Sequence, residues 1–180
     1  MSRDRWRSAV LIALPELAGW TDRWRGASYA EDHPRLPIAR RVPPHVTVLV
    51  PWVADPAGGE ALGRLRGAVA GFGPLELSFP AAEVFPGGTV FLRPEPFGVV
   101  RELVRSVLAA FPECPPYDGE HPDPHPHVTV SAGGGPPVLD EVRAAMAAEQ
   151  PPVVRVDAVA IWASATGEVW QPAGEMALGG

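Results

Sequence analysis

A five-residue stretch that occurs twice constrains this chain more than any other feature. Pro44-His45-Val46-Thr47-Val48 and Pro126-His127-Val128-Thr129-Val130 both spell PHVTV, 82 residues apart. β-Branched residues dominate each copy and a proline precedes each run, the pattern of a β-strand. Strand side chains alternate between faces, so His45, Thr47 and Leu49 share one face while Val46, Val48 and Val50 share the other. In the second copy His127, Thr129 and Ser131 lie opposite Val128 and Val130. Each copy sets an imidazole about 6.5–7 Å along the strand from a hydroxyl, above an apolar underside. One such pair is an ordinary way to dress the exposed face of a half-buried strand. Two in the same context point to a site with two proton-transfer groups and two hydroxyl donors.

The rest of the chain repeats around these strands. Ser8–Leu14 reads as a buried strand, and Glu16–Trp24 as a short helix with Leu17, Trp20 and Trp24 on one face. Periodicity is lost from Gly26 to Pro44, which predicts a long loop. Pro56–Phe72 has helical spacing, Leu75–Phe79 and Ala82–Phe85 read as two strands, and Gly87-Gly88 as a turn. The order then begins again. Thr89–Arg93 is a strand, and Pro96–Phe111 is a helix with Pro96 in its first turn. A loop over Pro112–Pro126 leads into the second PHVTV, followed by a helix at Val138–Glu149 and a long strand at Val153–Ala163. Ala165-Thr166-Gly167 turns a final hairpin into Val169–Leu178. The opening strands, near residues 7 and 89, also lie 82 residues apart. This pattern predicts one bilobal domain over 1–180 with an internal duplication: repeat one about 7–85, repeat two about 89–163, then the hairpin to 178. A pseudo-two-fold axis would bring the two His-Thr strands together in a cleft.

Composition narrows the partners. A net charge of −6 argues against gripping long duplex nucleic acid with a broad basic surface. A small anionic ligand, or one nucleic-acid end held locally, fits that balance. All 15 basic residues are arginine. Cys114 is the sole cysteine, so there is no disulfide framework and no zinc-ribbon spacing. The apolar run Ala9–Leu14 is too short for a signal-peptide core, and no stretch reaches transmembrane length. The expectation is a cytoplasmic chain with no membrane partner.

His45/Thr47 and His127/Thr129, with the flanking PPHVTVLVPW and PYDGEHPDPHPHVTV segments and the repeated element order, carry a family resemblance. Over most of its length the chain resembles the two-histidine (2H) phosphoesterase superfamily, particularly the 2′-5′ RNA ligase-like proteins and RNA 2′,3′-cyclic phosphodiesterases. The resemblance implies an α+β fold, bilobal, with two pseudo-symmetric antiparallel sheets and outer helices around a V-shaped cleft. It also implies metal-independent hydrolysis of cyclic phosphates, notably 2′,3′-cyclic phosphates of nucleotides or RNA ends. Elementary chemistry agrees. Ring opening needs a base to activate water and an acid to protonate the departing alkoxide, and imidazole serves as either near neutral pH. Thr47 and Thr129 would donate hydrogen bonds to phosphoryl oxygens that gain charge in the transition state. The symmetric pair leaves open which histidine is acid and which is base.

Several other readings stand beside this one. Another small cyclic phosphate, such as an ADP-ribose cyclic phosphate, would suit the same groups, and RNA 2′-5′ ligation is a further family activity. A nucleotide- or RNA-binding module without turnover is a different class, although binding alone needs no pair of titrating groups. A metal-dependent hydrolase would use His121, Asp123, His125 and His127, but four prolines in Pro116–Pro126 force an extended path that fixes no ligand directions. No metal and no cofactor are therefore expected, and a monomer is. Tyr117 precedes the second motif and could stack on a base or touch phosphate. Trp52 follows the first motif, Arg40 and Arg41 precede it, Arg93 closes the second opening strand, and Ser131 shares the face of His127. Each of these is a candidate substrate contact, with core packing or a solvated charge as the plainer alternative. His33 has no such context. The stripes Leu62/Leu65/Val69 and Val100/Val104/Val107 are core, and Gly133-Gly134-Gly135 lacks the Lys and Ser/Thr of a phosphate loop.

Overall fold

Each apolar run stops where a proline, a glycine or a charge interrupts it, and the secondary structure follows those stops. In the computed structural model, residues 8–32, 42–165 and 169–179 are described, the first span with side chains up to residue 25. The first half of the chain forms β1 (Ser8–Ala13), α1 (Ala18–Asp32), β2 (His45–Leu49), α2 (Gly59–Val69) and β3 (Leu75–Val84). The second half forms β4 (Val90–Glu95), α3 (Phe97–Ala110), β5 (Val128–Ser131), α4 (Gly135–Ala148), β6 (Val154–Val156), β7 (Ala158–Ala163) and β8 (Gln171–Ala177). Short 3-10 turns sit at Pro15–Leu17 and Pro116–Gly119. The fold is α+β, and its strands build one antiparallel sheet.

Among the described residues the sheet has eight strands, in the order β6-β3-β4-β5-β2-β1-β7-β8. Counted outward from the β2–β5 seam, both directions meet a His-Thr strand, then an opening strand, then a third strand. The two sheets expected from the duplication are thus two halves of one sheet, joined where Val46 pairs with Val128. The third strands are exchanged: β3 pairs with β4, while β7 pairs with β1. Neither half of the sequence builds a half of the sheet alone.

One face of this sheet carries the main core. Val10, Ile12, Val46, Val48, Val90, Leu92, Val128 and Val130 meet Trp20 of α1, Leu65 and Val69 of α2, Val100, Leu103, Val104 and Val107 of α3, and Leu139, Val142 and Met146 of α4. Period-two alternation in the strands and period-3.6 spacing in the helices make these faces continuous. The helices therefore bury the valines of both PHVTV copies, and the His-Thr face points away from them. Among the described residues no helix is long and apolar enough to cross a membrane.

Four boundaries differ from the sequence reading. Helix α1 runs on to Asp32 rather than stopping at Trp24: Ala27, Ala30 and Glu31 favour helix, and no proline intervenes before Pro34. The paired strands expected over Leu75–Phe85 are one strand, with Pro80 at the register shift between Ser78 and Ala81, where a ladder N–H is dispensable. The single strand expected over Val153–Ala163 breaks at Asp157, since β6 pairs with β3 and β7 with β1 at opposite ends of the sheet. Helix α4 begins at Gly135, with prolines in the first turn, where a missing N–H leaves no bond unmade.

Leu92 is fully buried between β4 and the helices. Leu92→Ala should lower unfolding free energy by about 2–5 kcal/mol in urea denaturation. The exposed Glu76→Ala should stay within about 0.5 kcal/mol of the parent. A loss below about 1 kcal/mol for Leu92→Ala would contradict this packing.

Candidate active site

The seam gathers both motifs. Val46 pairs with Val128, so continuing that antiparallel register sets Thr47 opposite His127 and His45 opposite Thr129. The flanking strands share this face: Ala13 and Leu11 of β1 pair with His45 and Thr47, and Phe91 of β4 pairs with Thr129. His127 sits one residue before β5 begins.

Both imidazoles are anchored the same way. His45 Nδ1 lies 2.8 Å from the Pro43 carbonyl, and His127 Nδ1 lies 2.7 Å from the His125 carbonyl. A carbonyl only accepts, so each Nδ1 carries a proton and donates it, leaving Nε2 to gain or lose one. The preceding prolines explain the repetition. Pro44 and Pro126 restrict Pro43 and His125 to extended backbone, which turns each carbonyl back toward the ring two residues on.

Their protonation is set mainly by burial. It pushes His45 down from 6.5 to about 4, helped by the charges of Arg25 and His127 and opposed by the Pro43 carbonyl bond. Burial likewise lowers His127, with His125 and His121 adding to the fall and the His125 carbonyl opposing it. Sequence reasoning missed Arg25, which lies on a helix among other arginines. Its buried guanidinium donates Nη2–H to the Val42 carbonyl at 3.0 Å and lies 3.6 Å from Asp22.

The two sides of the seam differ in lining. Beside His127, Phe85 and Phe91 stack at 4.1 Å, and the imidazole meets them edge-on at 4.9 and 5.4 Å. Phe97 packs on His125 at 4.8 Å. A period-two reading of Thr89–Arg93 would have put Phe91 on the His face; Phe85, at the strand end, carried no comparable signal. Beside His45 the lining is Ala9, Leu11, Val50, Ala160 and Trp162, with Ala13, Val42, Tyr117 and Trp170 packed against them.

Tyr117 reaches the site, but by an unusual route. Tyr117 and Asp118 have φ of +53° and +55°, and Gly119 follows at +88°. A left-handed backbone costs a non-glycine residue roughly 1–2 kcal/mol. The turn is tied down by the Tyr117 N–H donating to the Val50 carbonyl at 2.6 Å. Burial raises the Tyr117 phenol above the ordinary tyrosine range, and the neighbouring Thr47 side chain opposes that rise.

Other expected contacts fall elsewhere. Trp52 is a correction: it is 6% exposed in the main core, edge-on to Phe111 at 5.5 Å, on the helix side of the sheet. Ser131 is another, since its buried hydroxyl donates to the Gly133 carbonyl at 2.8 Å and closes its own turn. Arg93 does lie on the His face, over Phe97, yet it is held by Glu95 at 2.7 Å and Glu83 at 3.9 Å. Asp123 of the histidine-rich loop is gripped by Arg101 at 2.7 Å and Arg105 at 3.3 Å, which lowers its carboxyl and leaves it poorly placed as a metal ligand. Among the described residues no three His, Cys, Asp or Glu side chains gather to hold a metal ion. Arg40, Arg41 and His33 lie outside the described residues, as does most of the predicted final turn.

Comparison with known proteins places this geometry. The profile of the 2′-5′ RNA ligase superfamily matches residues 13–168. E. coli LigT, solved in complex with 3′-AMP, is similar at 19% identity and a TM-score of 0.61, covering 96% of this chain and 98% of that one. A structure described as a phosphoesterase gives 18% identity, a TM-score of 0.60, and coverage of 96% and 98%. TT0787 of Thermus thermophilus gives 18% identity, a TM-score of 0.54, and coverage of 97% and 98%. A search of curated proteins returned no match.

The histidine environment predicts a pH response. The folded state resists protonating His45, whose value falls from 6.5 to about 4. Its contribution to stability is therefore full above 6.5 and is lost as pH falls from 6.5 toward 4. NMR titration should find the His45 midpoint near 4, and His45→Gln should flatten the stability loss across that window. A midpoint at 6.5 or higher would mean that burial and Arg25 do not act on this ring.

Proposed function

Because the chain belongs to the 2′-5′ RNA ligase superfamily of two-histidine phosphoesterases, we propose that it hydrolyses 2′,3′-cyclic phosphates of nucleotides or RNA ends to phosphomonoesters. The observation that carries this reading is the matched pair of Nδ1-anchored imidazoles, each with a threonine across the β2–β5 seam. The ligand is nucleotide-sized on this reading, as is the 3′-AMP bound to LigT, which has the chemical form of such a product.

The step needs two proton transfers and no net change in protonation. Nε2 of one neutral imidazole takes a proton from water as the water oxygen bonds to phosphorus. Nε2–H of the other imidazolium gives its proton to the ribose oxygen as the phosphorus–oxygen bond breaks. His45, pushed to about 4 with Arg25 nearby, suits the base. His127 suits the acid. An arriving phosphate anion raises the value of any histidine beside it, which supplies the protonated partner. Thr47 and Thr129 donate to the non-bridging oxygens and oppose the charge developing there. Each half of the chain contributes one histidine and one threonine, so the duplicated chain works as one bilobal unit and a monomer suffices.

Turnover of 2′,3′-cyclic nucleotides in excess chelator tests the proposal. The parent should be active, and His45→Ala and His127→Ala should each lose at least ~10²-fold in kcat. Activity that survives in either variant, or that the chelator abolishes, would sink the two-histidine mechanism.

A further inference from the structure

We propose that Arg25 is a positioning residue for His45: its guanidinium holds the Val42 carbonyl, and through two consecutive prolines that grip fixes the Pro43 carbonyl against the imidazole. The inference rests on the reading of His45 as the base and names the group that keeps its accepting nitrogen free.

Three successive carbonyls lead into the first motif, and each is met by a donor from a different place. Val42 O accepts from Arg25 Nη2 of α1 at 3.0 Å, Pro43 O from His45 Nδ1 at 2.8 Å, and Pro44 O from the Leu14 N–H, just past β1, at 2.7 Å. Pro43 and Pro44 have no N–H, so a carbonyl is the only main-chain group by which either can be gripped. The prolines also make the run behave as one piece. The Pro43 ring fixes its φ at about −65°, and Pro44 confines the Pro43 ψ to extended values. With both torsions limited, the direction of the Val42 carbonyl sets the direction of the Pro43 carbonyl. The cluster of Leu11, Val50 and Trp162 places the Val42 side chain. Apolar packing does not aim a carbonyl, and the Arg25 bond does.

Arg25 is itself held in place. It is 6% exposed, and Asp22, one turn earlier on α1, lies 3.6 Å from its Nη1. The second repeat ties its motif down differently, since Arg101 and Arg105 of α3 grip the Asp123 carboxylate at the surface, four residues before His127. Only the first histidine therefore has a buried cation clamped to the main chain that anchors it. The consequence is chemical. With the Nδ1 proton committed to the Pro43 carbonyl, Nε2 keeps the lone pair that accepts a proton from water. Were that carbonyl to swing away, the ring would carry its proton on either nitrogen, and the form protonated on Nε2 has no lone pair facing the ligand. The guanidinium charge acts in the same direction, opposing a second proton on the ring as the charge of His127 does.

Arg25→Met keeps an unbranched stem in the buried site and removes the donor. Nitrogen–proton correlation spectra of the imidazoles, recorded above pH 6.5 where both rings are neutral, report the tautomer directly. The parent should show His45 as the single Nδ1–H tautomer, and Arg25→Met should show both tautomers. His127, anchored on the His125 carbonyl, should keep the parent pattern in the variant. In turnover the same change should lower kcat on the order of tenfold, with KM little altered. An unchanged His45 tautomer in Arg25→Met would overturn the proposal, as would a loss that falls on KM. A change at both histidines together would make Arg25 a general support of the fold and would overturn it equally. If the parent shows no turnover, the functional reading fails by itself, and the ring spectra alone decide whether Arg25 positions His45.

Discussion

The site depends on one main-chain contact between two short strands. Val46 and Val128 pair at the centre of the sheet, and that register carries His45, Thr47, His127 and Thr129 to the same face. A shift of one residue in either strand would turn its histidine and threonine into the core and its valines out. The register is protected from below, because Val46, Val48, Val128 and Val130 are at most 1% exposed beneath the helices. It is also bridged lengthwise. Helix α1 follows β1 yet packs on β5, and α3 follows β4 yet packs on β2, so each helix crosses the seam. Exchange of β3 and β7 adds a second tie, since the halves of the sheet are paired through strands from opposite halves of the chain.

Two copies of one motif anchor their imidazoles alike while their surroundings differ. Proline, carbonyl and Nδ1 are arranged identically at both histidines. The neighbouring strands are not alike: where β1 presents Ala9, Leu11 and Ala13, β4 presents Phe91, Arg93 and Glu95 at the same 82-residue offset. One imidazole therefore rests beside a mixed apolar cluster that includes Trp162 and near a buried guanidinium, the other among the edges of Phe85 and Phe91 and further histidines. On the proposed reading, an asymmetric substrate has a preferred way round, and the two histidines are no longer interchangeable.

Much of this was legible from local pattern. The His-Thr faces follow from period-two alternation alone, and the order of elements follows from where apolar runs stop. What local pattern did not carry was anything decided by a distant partner. The break at Asp157 exists because β6 and β7 answer to different neighbours, β3 and β1, and no residue within Val153–Ala163 announces it. Trp52 followed a motif strand in sequence but turned to Phe111, because the chain leaves β2 toward the helix side. Ser131 sat at the right parity, yet its hydroxyl was taken by the adjacent turn at Gly133. Arg25 gave no sign in sequence, since its effect on His45 depends on burial that only the packed helix creates.

Tyr117 and Asp118 adopt left-handed backbone, each at a cost of roughly 1–2 kcal/mol. Packing this half-buried ring returns part of the about 1.5–3 kcal/mol that full burial would give, and a main-chain bond such as that from Tyr117 N–H to Val50 O about 1 kcal/mol more. These terms nearly balance, so the turn gains little stability from its own contacts. What keeps it in register is the rest of the loop. Prolines limit the conformations open to the chain on either side, and Arg101 and Arg105 of α3 share the carboxylate of Asp123. Exposed ion pairs contribute little individually, but two arginines on one helix fix where a proline-stiffened segment must lie. The histidine-rich stretch, read from sequence as a loop beside the second motif, is in this arrangement the segment that leads His127 to the seam, with Asp123 held between Arg101 and Arg105.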